Sequence, residues 1–232
     1  MSAPKKFLLF GDSITEFTYE PDQWCLGPAL QNVYARKMDI IQRGYIGYNS
    51  RWALHILPEL LDGIGKVDLA YVFFGTNDCM PSGQFAVPLE EYLDNMKKIV
   101  TLMTARGIKV IVIGTSLIEL DRWNELNPSE NATGLIRNTE SQKFFGDKLR
   151  ELCKQENYVF VDLYKKFTEL GGAEWKSLLK DGLHFNSFGY KIFYDELLRV
   201  IKENYPEFHP SNMHYQYPEC YIIDRDMKNL VI

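Results

Sequence analysis

The sequence predicts an α/β fold, in which one parallel β-sheet lies between two layers of helices. Two observations support this prediction: five short segments are apolar over nearly their whole length, and helical patterns separate them. Strands covered on both faces have no solvent side, so continuous apolar runs are typical of a parallel sheet. We therefore expect a flavodoxin-like, three-layer α/β/α architecture with a central parallel five-stranded sheet.

The elements follow one another in regular alternation. The expected strands are residues 7–10, 38–42, 69–74, 109–113 and 158–162. The expected helices are residues 26–37, 50–64, 88–107, about 136–156 and about 188–204. The pattern of the third helix is the clearest, because Pro88 suits a first turn and Gly107 suits a C-terminal cap. Pro58 is expected to kink the second helix or to start a new segment.

Two regions depart from this alternation. Residues 115–134 form a long, partly polar connection after the fourth strand. Residues 205–232 continue past the last expected helix with four tyrosines, one phenylalanine and three prolines. We expect one domain over residues 1–204, and a C-terminal aromatic tail over 205–232 that packs on this domain or on a dimer partner, since it is too apolar for free disorder.

Composition excludes several classes of protein. The 232 residues are 46% hydrophobic and 25% charged, which is ordinary for a globular domain. The net charge of −5 disfavours nucleic-acid binding and attachment to an anionic membrane. We find neither a secretory signal nor the run of about 20 apolar residues that a membrane span needs. The four cysteines form no C-x-x-C pair, so the sequence predicts a reduced, cytoplasmic protein.

Ser13 follows the first expected strand in the sequence F-G-D-S-I. A serine or aspartate there can cap the following helix, or the serine can be held out for chemistry. Asn77 follows the third strand in G-T-N-D, where an amide either satisfies a turn or donates to a developing oxyanion. The segment 44–49 follows the second strand, and its glycines either permit a turn or offer an unobstructed N–H.

Asp181 and His184 lie three residues apart in D-G-L-H, close before the last expected helix. A carboxylate at this spacing can hold the tautomer of an imidazole and stabilise the imidazolium. The alternative is a solvated aspartate with a histidine packed under the helix.

Taken together, the four motifs resemble those of the GDSL or SGNH hydrolases, and the resemblance spans about residues 7–200 in the expected order. Two longer segments resemble one branch of this family, the isoamyl acetate-hydrolysing esterases of yeasts and their eukaryotic relatives. Their sequences are R-G-Y-I-G-Y-N-S-R-W-A-L and V-P-L-E-E-Y-L-D-N-M-K-K-I-V. The resemblance implies that Ser13 is the nucleophile, His184 its base and Asp181 the partner of the base. It also implies an oxyanion hole formed by the N–H groups of Ser13 and Gly47 and the amide of Asn77.

Gly47 and Asp12 complete the predicted site. Gly47 is preferred to Gly44 because it lies in the G-x-N-S wording nearest the family motif. Asp12 is expected to support the turn that carries the serine.

The function implied is a cofactor-free serine esterase, a carboxylic ester hydrolase that acts on short acetate esters such as isoamyl acetate. The alternatives are a lysophospholipase, thioesterase or carbohydrate acetylesterase of the same superfamily, and a non-catalytic binding protein on this fold. The four histidines lack metal-ligand spacing, and neither the G-x-S-x-G elbow nor a nucleotide-binding motif occurs. The expected partner is a small ester, with a homodimer as a further expectation. Near the strand ends, five large residues either line an apolar pocket or pack in the core: Phe17, Trp24, Trp52, Phe74 and Met80.

Overall fold

The computed structural model describes residues 4–132 and 136–230, and its centre is a five-stranded parallel sheet with the order β2-β1-β3-β4-β5. All five strands lie where the sequence predicts them, so the α/β fold class is confirmed. Their bounds are β1 Lys5–Gly11, β2 Met38–Gly44, β3 Leu69–Phe73, β4 Lys109–Ile113 and β5 Val159–Val161.

In the described residues, the α-helices include all five that the sequence predicts, together with four that it does not. The predicted ones are α2 Leu26–Val33, α3 Ser50–Ile64, α4 Leu89–Ala105, α7 Thr139–Gln155 and α9 Ser187–Asn204. The additional ones are α1 Ser13–Glu16, α5 Leu120–Leu126, α6 Pro128–Ala132 and α8 Leu163–Gly171. Pro58 lies inside α3 and starts no new segment.

Alternate residues of each strand supply two hydrophobic cores, one on each face of the sheet. Phe7 and Leu9 of β1 face a core built with α2, α8 and α9. Leu8 and Phe10 face a core built with α3, α4 and α7. All four side chains are completely buried, which explains why the strand reads as a continuous apolar run rather than an alternating one. These layers confirm the three-layer α/β/α architecture.

The strand order places a crevice beside β1. β2 lies on one side of β1 and β3 lies on the other. The connection after β1 therefore runs towards one edge of the sheet and the connection after β3 towards the other edge. The point between β1 and β3 is a topological switch point. Ligands bind outside the carboxyl ends of strands at such points. Gly11 at the end of β1 pairs with Gly44 on one side and Phe73 on the other, which brings three strand ends together.

The segment after α9 packs against the opposite, amino-terminal end of the sheet. The hydroxyl of Tyr34 donates to the carbonyl of Phe208 at 2.8 Å, and the backbone N–H of Gln216 donates to the carbonyl of Arg36 at 2.7 Å. Arg36 also donates to the carbonyl of Tyr217 at 2.6 Å. This part of the tail therefore contacts its own domain close to the start of β2, at the end of the sheet away from Ser13.

Candidate active site

Ser13, His184 and Asp181 form one continuous chain of hydrogen bonds. The Oγ of Ser13 lies 2.9 Å from Nε2 of His184, and Nδ1 of the same ring lies 2.7 Å from Oδ2 of Asp181. Ser13 is 5% exposed and His184 is 8% exposed, so little water competes for these bonds. The arrangement can move a proton from the serine hydroxyl to the imidazole while a carboxylate stabilises the imidazolium.

The loop that carries Asp181 and His184 is fixed by its own hydrogen bonds. Oδ1 of Asp181 accepts from the backbone N–H groups of Leu183 at 3.0 Å and His184 at 2.8 Å, which leaves Oδ2 for the imidazole. Burial alone raises the pKa of Asp181, but hydrogen bonds and charge from His184 outweigh it and lower that pKa to about 2. Phe17 and Trp123 contact the imidazole ring at centroid distances of 4.8 and 5.7 Å, so the ring is held between two aromatic side chains.

Asp12, and not Ser13, caps the first helix. Its Oδ1 accepts from the N–H of Ile14 at 3.0 Å, which leaves the Ser13 hydroxyl for His184. Both Asp12 and Asp78 are completely buried, and in each of them Oδ2 has no hydrogen-bond partner among the described residues. Burial raises the pKa of Asp12 to about 7, against the hydrogen bond from Ile14, and raises that of Asp78 to about 6. A pair of buried carboxyl groups therefore lies behind the serine turn.

The structure separates the two glycines that follow β2. Gly47 lines the same cavity as Ser13 and has a φ of +74°, a conformation that side chains rarely adopt. Gly44 ends β2, and a Cβ at this position would lie 2.0 Å from the backbone nitrogen of Glu16. Gly44 is thus required by close packing against α1, whereas Gly47 faces the cavity.

Asn77 is held at both ends of its amide. Nδ2 donates to the carbonyl of Tyr48 at 2.9 Å, and Oδ1 accepts from Nη2 of Arg137 at 3.3 Å. An amide nitrogen carries two N–H donors, so one remains for an oxygen atom bound in the cavity. Ser13, Gly47 and Asn77 all line this cavity, as do both members of the Asp181–His184 pair.

The cavity has a volume of about 410 Å³, within the range of small-molecule sites. Its remaining lining residues are Phe17, Glu20, Ile46, Phe85, Trp123, Asn127, Glu130, Arg137 and Lys180. Of the five large residues considered from the sequence, Phe17 lines it. Phe74 and Met80 are buried in the interior, Trp52 lines a neighbouring cavity, and Trp24 packs on Tyr194 at a ring distance of 5.7 Å. Position next to a strand end does not decide which face of the sheet a side chain joins.

Sequence reasoning missed the contribution of the connection after β4. Trp123 and Arg137 lie on opposite sides of the undescribed residues 133–135, yet the guanidinium of Arg137 lies 4.8 Å from the Trp123 ring. The N–H of Glu119 donates to the carbonyl of Gly182 at 2.8 Å, so this connection also supports the loop that carries His184. Its composition shows only that it is partly polar, and no spacing signal marks these residues.

Residues 4–132 and 136–230 contain neither a cluster of metal ligands nor a membrane-spanning helix. No group of three or more histidine, cysteine, aspartate or glutamate side chains is arranged there to hold a metal ion. In the same residues, no helix combines the length and apolar character that crossing a bilayer requires.

A profile of the GDSL-like lipase/acylhydrolase family matches residues 9–192, which include the end of β1, strands β2 to β5 and all three residues of the hydrogen-bonded chain. This chain belongs to that family. It is similar to the isoamyl acetate-hydrolyzing esterase of Saccharomyces cerevisiae, with 45% identity over 98% of each chain. The isoamyl acetate-hydrolyzing esterase 1 homolog of Homo sapiens is 30% identical over 85% of this chain and 82% of its own.

Solved structures of similar fold lie further away in sequence. A lipase/acylhydrolase from Enterococcus faecalis superposes with a TM-score of 0.67 at 22% identity, over 92% of this chain and 100% of the other. An acetylxylan esterase from Geobacillus stearothermophilus gives a TM-score of 0.67 at 21% identity, over 86% of this chain and 95% of the other. These likenesses agree with the three-layer fold.

Proposed function

We propose that this GDSL-family chain is a cofactor-free serine esterase that hydrolyses short-chain acetate esters, isoamyl acetate among them, through an acyl-enzyme. The observation that carries the proposal is the hydrogen-bonded chain from Ser13 through His184 to Asp181 at the wall of a cavity. The 45% identity to the yeast esterase over nearly the whole chain supports the choice of ester.

In the first step, Oγ of Ser13 attacks the carbonyl carbon of the ester while Nε2 of His184 takes the hydroxyl proton. Negative charge then develops on the former carbonyl oxygen. The N–H groups of Ser13 and Gly47 and the second N–H of Asn77 stabilise it. The imidazolium, paired with Asp181, returns its proton to the leaving oxygen, so the bond to the alcohol breaks and the alcohol departs.

In the second step, water replaces the alcohol. His184 takes a proton from this water, and the resulting hydroxide attacks the carbonyl carbon of acyl-Ser13. The bond between the carbonyl carbon and Oγ breaks, the proton passes to Oγ, and acetate leaves. The same residues thus serve both steps, and no metal or redox group takes part.

The cavity supports a small substrate with an apolar alcohol. Phe17, Phe85 and Trp123 supply aromatic surface beside Ser13, and Ile46 is 59% exposed at its mouth. Apolar lining with a few polar groups near the reacting atom is the usual design of such sites.

Hydrolysis of p-nitrophenyl acetate and p-nitrophenyl laurate tests the proposal. We expect rapid cleavage of the acetate that a chelator does not change, and a loss of at least about 10³-fold in Ser13→Ala. The exposed Ser211 at the far end of the sheet provides the matched control, because Ser211→Ala removes the same hydroxyl. A preference for laurate would favour a lipase-like role in lipid degradation. Equal inactivity of wild type and Ser13→Ala would favour a binding protein.

We further propose that the protein acts in the cytoplasm without a nucleic-acid or membrane partner, supported by its net charge of −5. We also propose a homodimer in which the tail beyond residue 218 takes part. Tyr221 and Ile222 are 79% and 54% exposed there, which supports a role in association. Light scattering of the full chain and of a chain ending at residue 218 tests this, because a monomer in both cases contradicts the proposal.

A further inference from the structure

We propose that Arg137 is a positioning residue of the esterase, and that its guanidinium fixes the Asn77 amide so that an N–H faces the oxyanion. This inference rests on the roles proposed above for Ser13 and Asn77. Arg137 lies outside the four family motifs and 60 residues away from Asn77 in sequence.

The contacts of Arg137 hold two successive residues of the segment after β3. Nη1 donates to the carbonyl oxygen of Thr76 at 3.0 Å, and Nη2 donates to Oδ1 of Asn77 at 3.3 Å. The carbonyl of Tyr48 takes one N–H of the same amide. With its oxygen and one of its N–H groups fixed from two sides, the amide cannot rotate without losing both bonds. The second N–H of the Asn77 amide is therefore held in one orientation, towards the oxyanion, before the reaction begins. Such preorganised donors are what oxyanion stabilisation requires.

Arg137 is itself held in place. Its side chain is 8% exposed, and its guanidinium lies 4.8 Å from the ring of Trp123. Nε lies 3.7 Å from Oε2 of Glu130, and this same oxygen accepts from Nε1 of Trp123 at 2.9 Å. Burial lowers the pKa of Arg137, while the charge of Glu130 opposes that shift. A buried guanidinium needs such partners, and a planar group that is stacked on one side and paired on another has little freedom to move.

The charge of Arg137 adds a second effect to orientation. A guanidinium that donates to the amide oxygen polarises the amide, so the N–H groups of that amide become stronger donors. This effect grows in the transition state, where the oxyanion carries full charge, and is small for the neutral ester. Loss of Arg137 should therefore lower kcat and leave KM nearly unchanged.

The test compares Arg137→Gln, Arg137→Lys, Asn77→Ala and the Arg137→Gln/Asn77→Ala double variant on p-nitrophenyl acetate. Removal of one oxyanion donor typically costs about 10²–10³ in turnover, so its misalignment should cost about 10- to 100-fold in kcat. Arg137→Lys keeps the charge but not the fork that bonds Thr76 and Asn77 together, and should remain at least about 10-fold impaired. The matched control is Arg122→Gln, the same substitution at an exposed arginine of α5, which should retain wild-type kcat.

Coupling to Asn77 is the readout that a merely structural role would not give. We expect the double variant to be no slower than Asn77→Ala alone, because Arg137 acts through the amide. Multiplicative losses in the double variant would overturn the inference, and so would a KM effect without a kcat effect. Full activity of Arg137→Lys would overturn it as well, and this variant serves if Arg137→Gln does not fold.

Failure of the inference can be told apart from failure of the proposed function. If Ser13→Ala and Asn77→Ala both lose activity while Arg137→Gln does not, the esterase mechanism stands and Arg137 has no positioning role. If Ser13→Ala keeps its activity, the mechanism itself is wrong.

Discussion

Substitution of Asp12 by asparagine should make the protein more stable, by an amount that grows as the pH rises from about 4 to about 7. The asparagine Oδ1 can keep the cap to Ile14, which now bonds at 3.0 Å. Its Nδ2 takes the place of Oδ2, which lacks a hydrogen-bond partner among the described residues and lies near the buried Asp78. Asparagine therefore resembles the protonated form of Asp12 at every pH.

The sign and size of the effect follow from the raised pKa. Burial first, and then the charge of Asp78, raise the pKa of Asp12 from 3.8 in the unfolded chain to about 7 in the folded one. Between these values the folded protein binds a proton that the unfolded chain releases, so the free energy of unfolding falls as pH rises and levels off above about pH 7. Each pH unit inside the window costs up to about 1.4 kcal/mol, or about 2 to 3 kcal/mol between pH 5 and 8.

Urea unfolding of wild type and Asp12→Asn at pH 5, 6, 7 and 8 measures this difference. Asp78, whose pKa is raised to about 6, contributes a slope of the same sign to both proteins, so the comparison is made on their difference. Asp39→Asn is the matched control, because Asp39 is an exposed carboxylate on β2.

We expect the advantage of Asp12→Asn over wild type to grow with pH and that of Asp39→Asn to stay flat. Parallel pH curves for wild type and Asp12→Asn would refute the reasoning, since they would mean that Asp12 is ionised in the folded protein throughout.

Two further predictions concern the ends of the sheet. Asp181→Asn should lower kcat on p-nitrophenyl acetate by about 10²- to 10⁴-fold, because a neutral amide cannot stabilise the imidazolium. Initial rates between pH 6 and 9 measure this loss, and a loss below about threefold would contradict the proposed role of Asp181. Tyr34→Phe removes the hydroxyl that donates to the carbonyl of Phe208 at 2.8 Å. It should lower the free energy of unfolding, measured by urea titration, by about 1 kcal/mol and leave kcat unchanged. A change in kcat would show that the tail contact affects the active site.

Most of the sheet could be predicted from the sequence because a parallel strand that is buried on both faces is apolar over nearly its whole length. β1 and β3 are apolar because helices cover both faces of the sheet. The two strands are parallel neighbours, so the residues that follow them lie at the same edge of the sheet. The contact between Asp181 and His184 was predictable for a different reason, because the two residues are only three positions apart.

Helix α8 left a weaker record. Asp162 caps it by accepting from Lys165, and Leu163 and Phe167 bury one face four residues apart, but the helix runs for only nine residues before Gly172. A segment this short offers too few repeats to show a helical period.

Arg137 could not have been predicted. It lies between Ile136 and Asn138 in no recognisable motif, and its partners Thr76, Asn77 and Trp123 come from other parts of the chain. Only the folded connection after β4 brings a guanidinium to the amide, so the contacts behind its proposed role are tertiary and leave no local pattern.

The Ser13–His184 bond joins residues 171 positions apart, and strands β2 to β5 lie between them in sequence. During synthesis the serine leaves the ribosome early, while the imidazole that we propose activates it is among the last parts of the domain to emerge. A nascent or truncated chain consequently carries an ordinary, unreactive hydroxyl. Recovery of esterase activity during refolding would report one event, the docking of the final third of the chain onto its first strand.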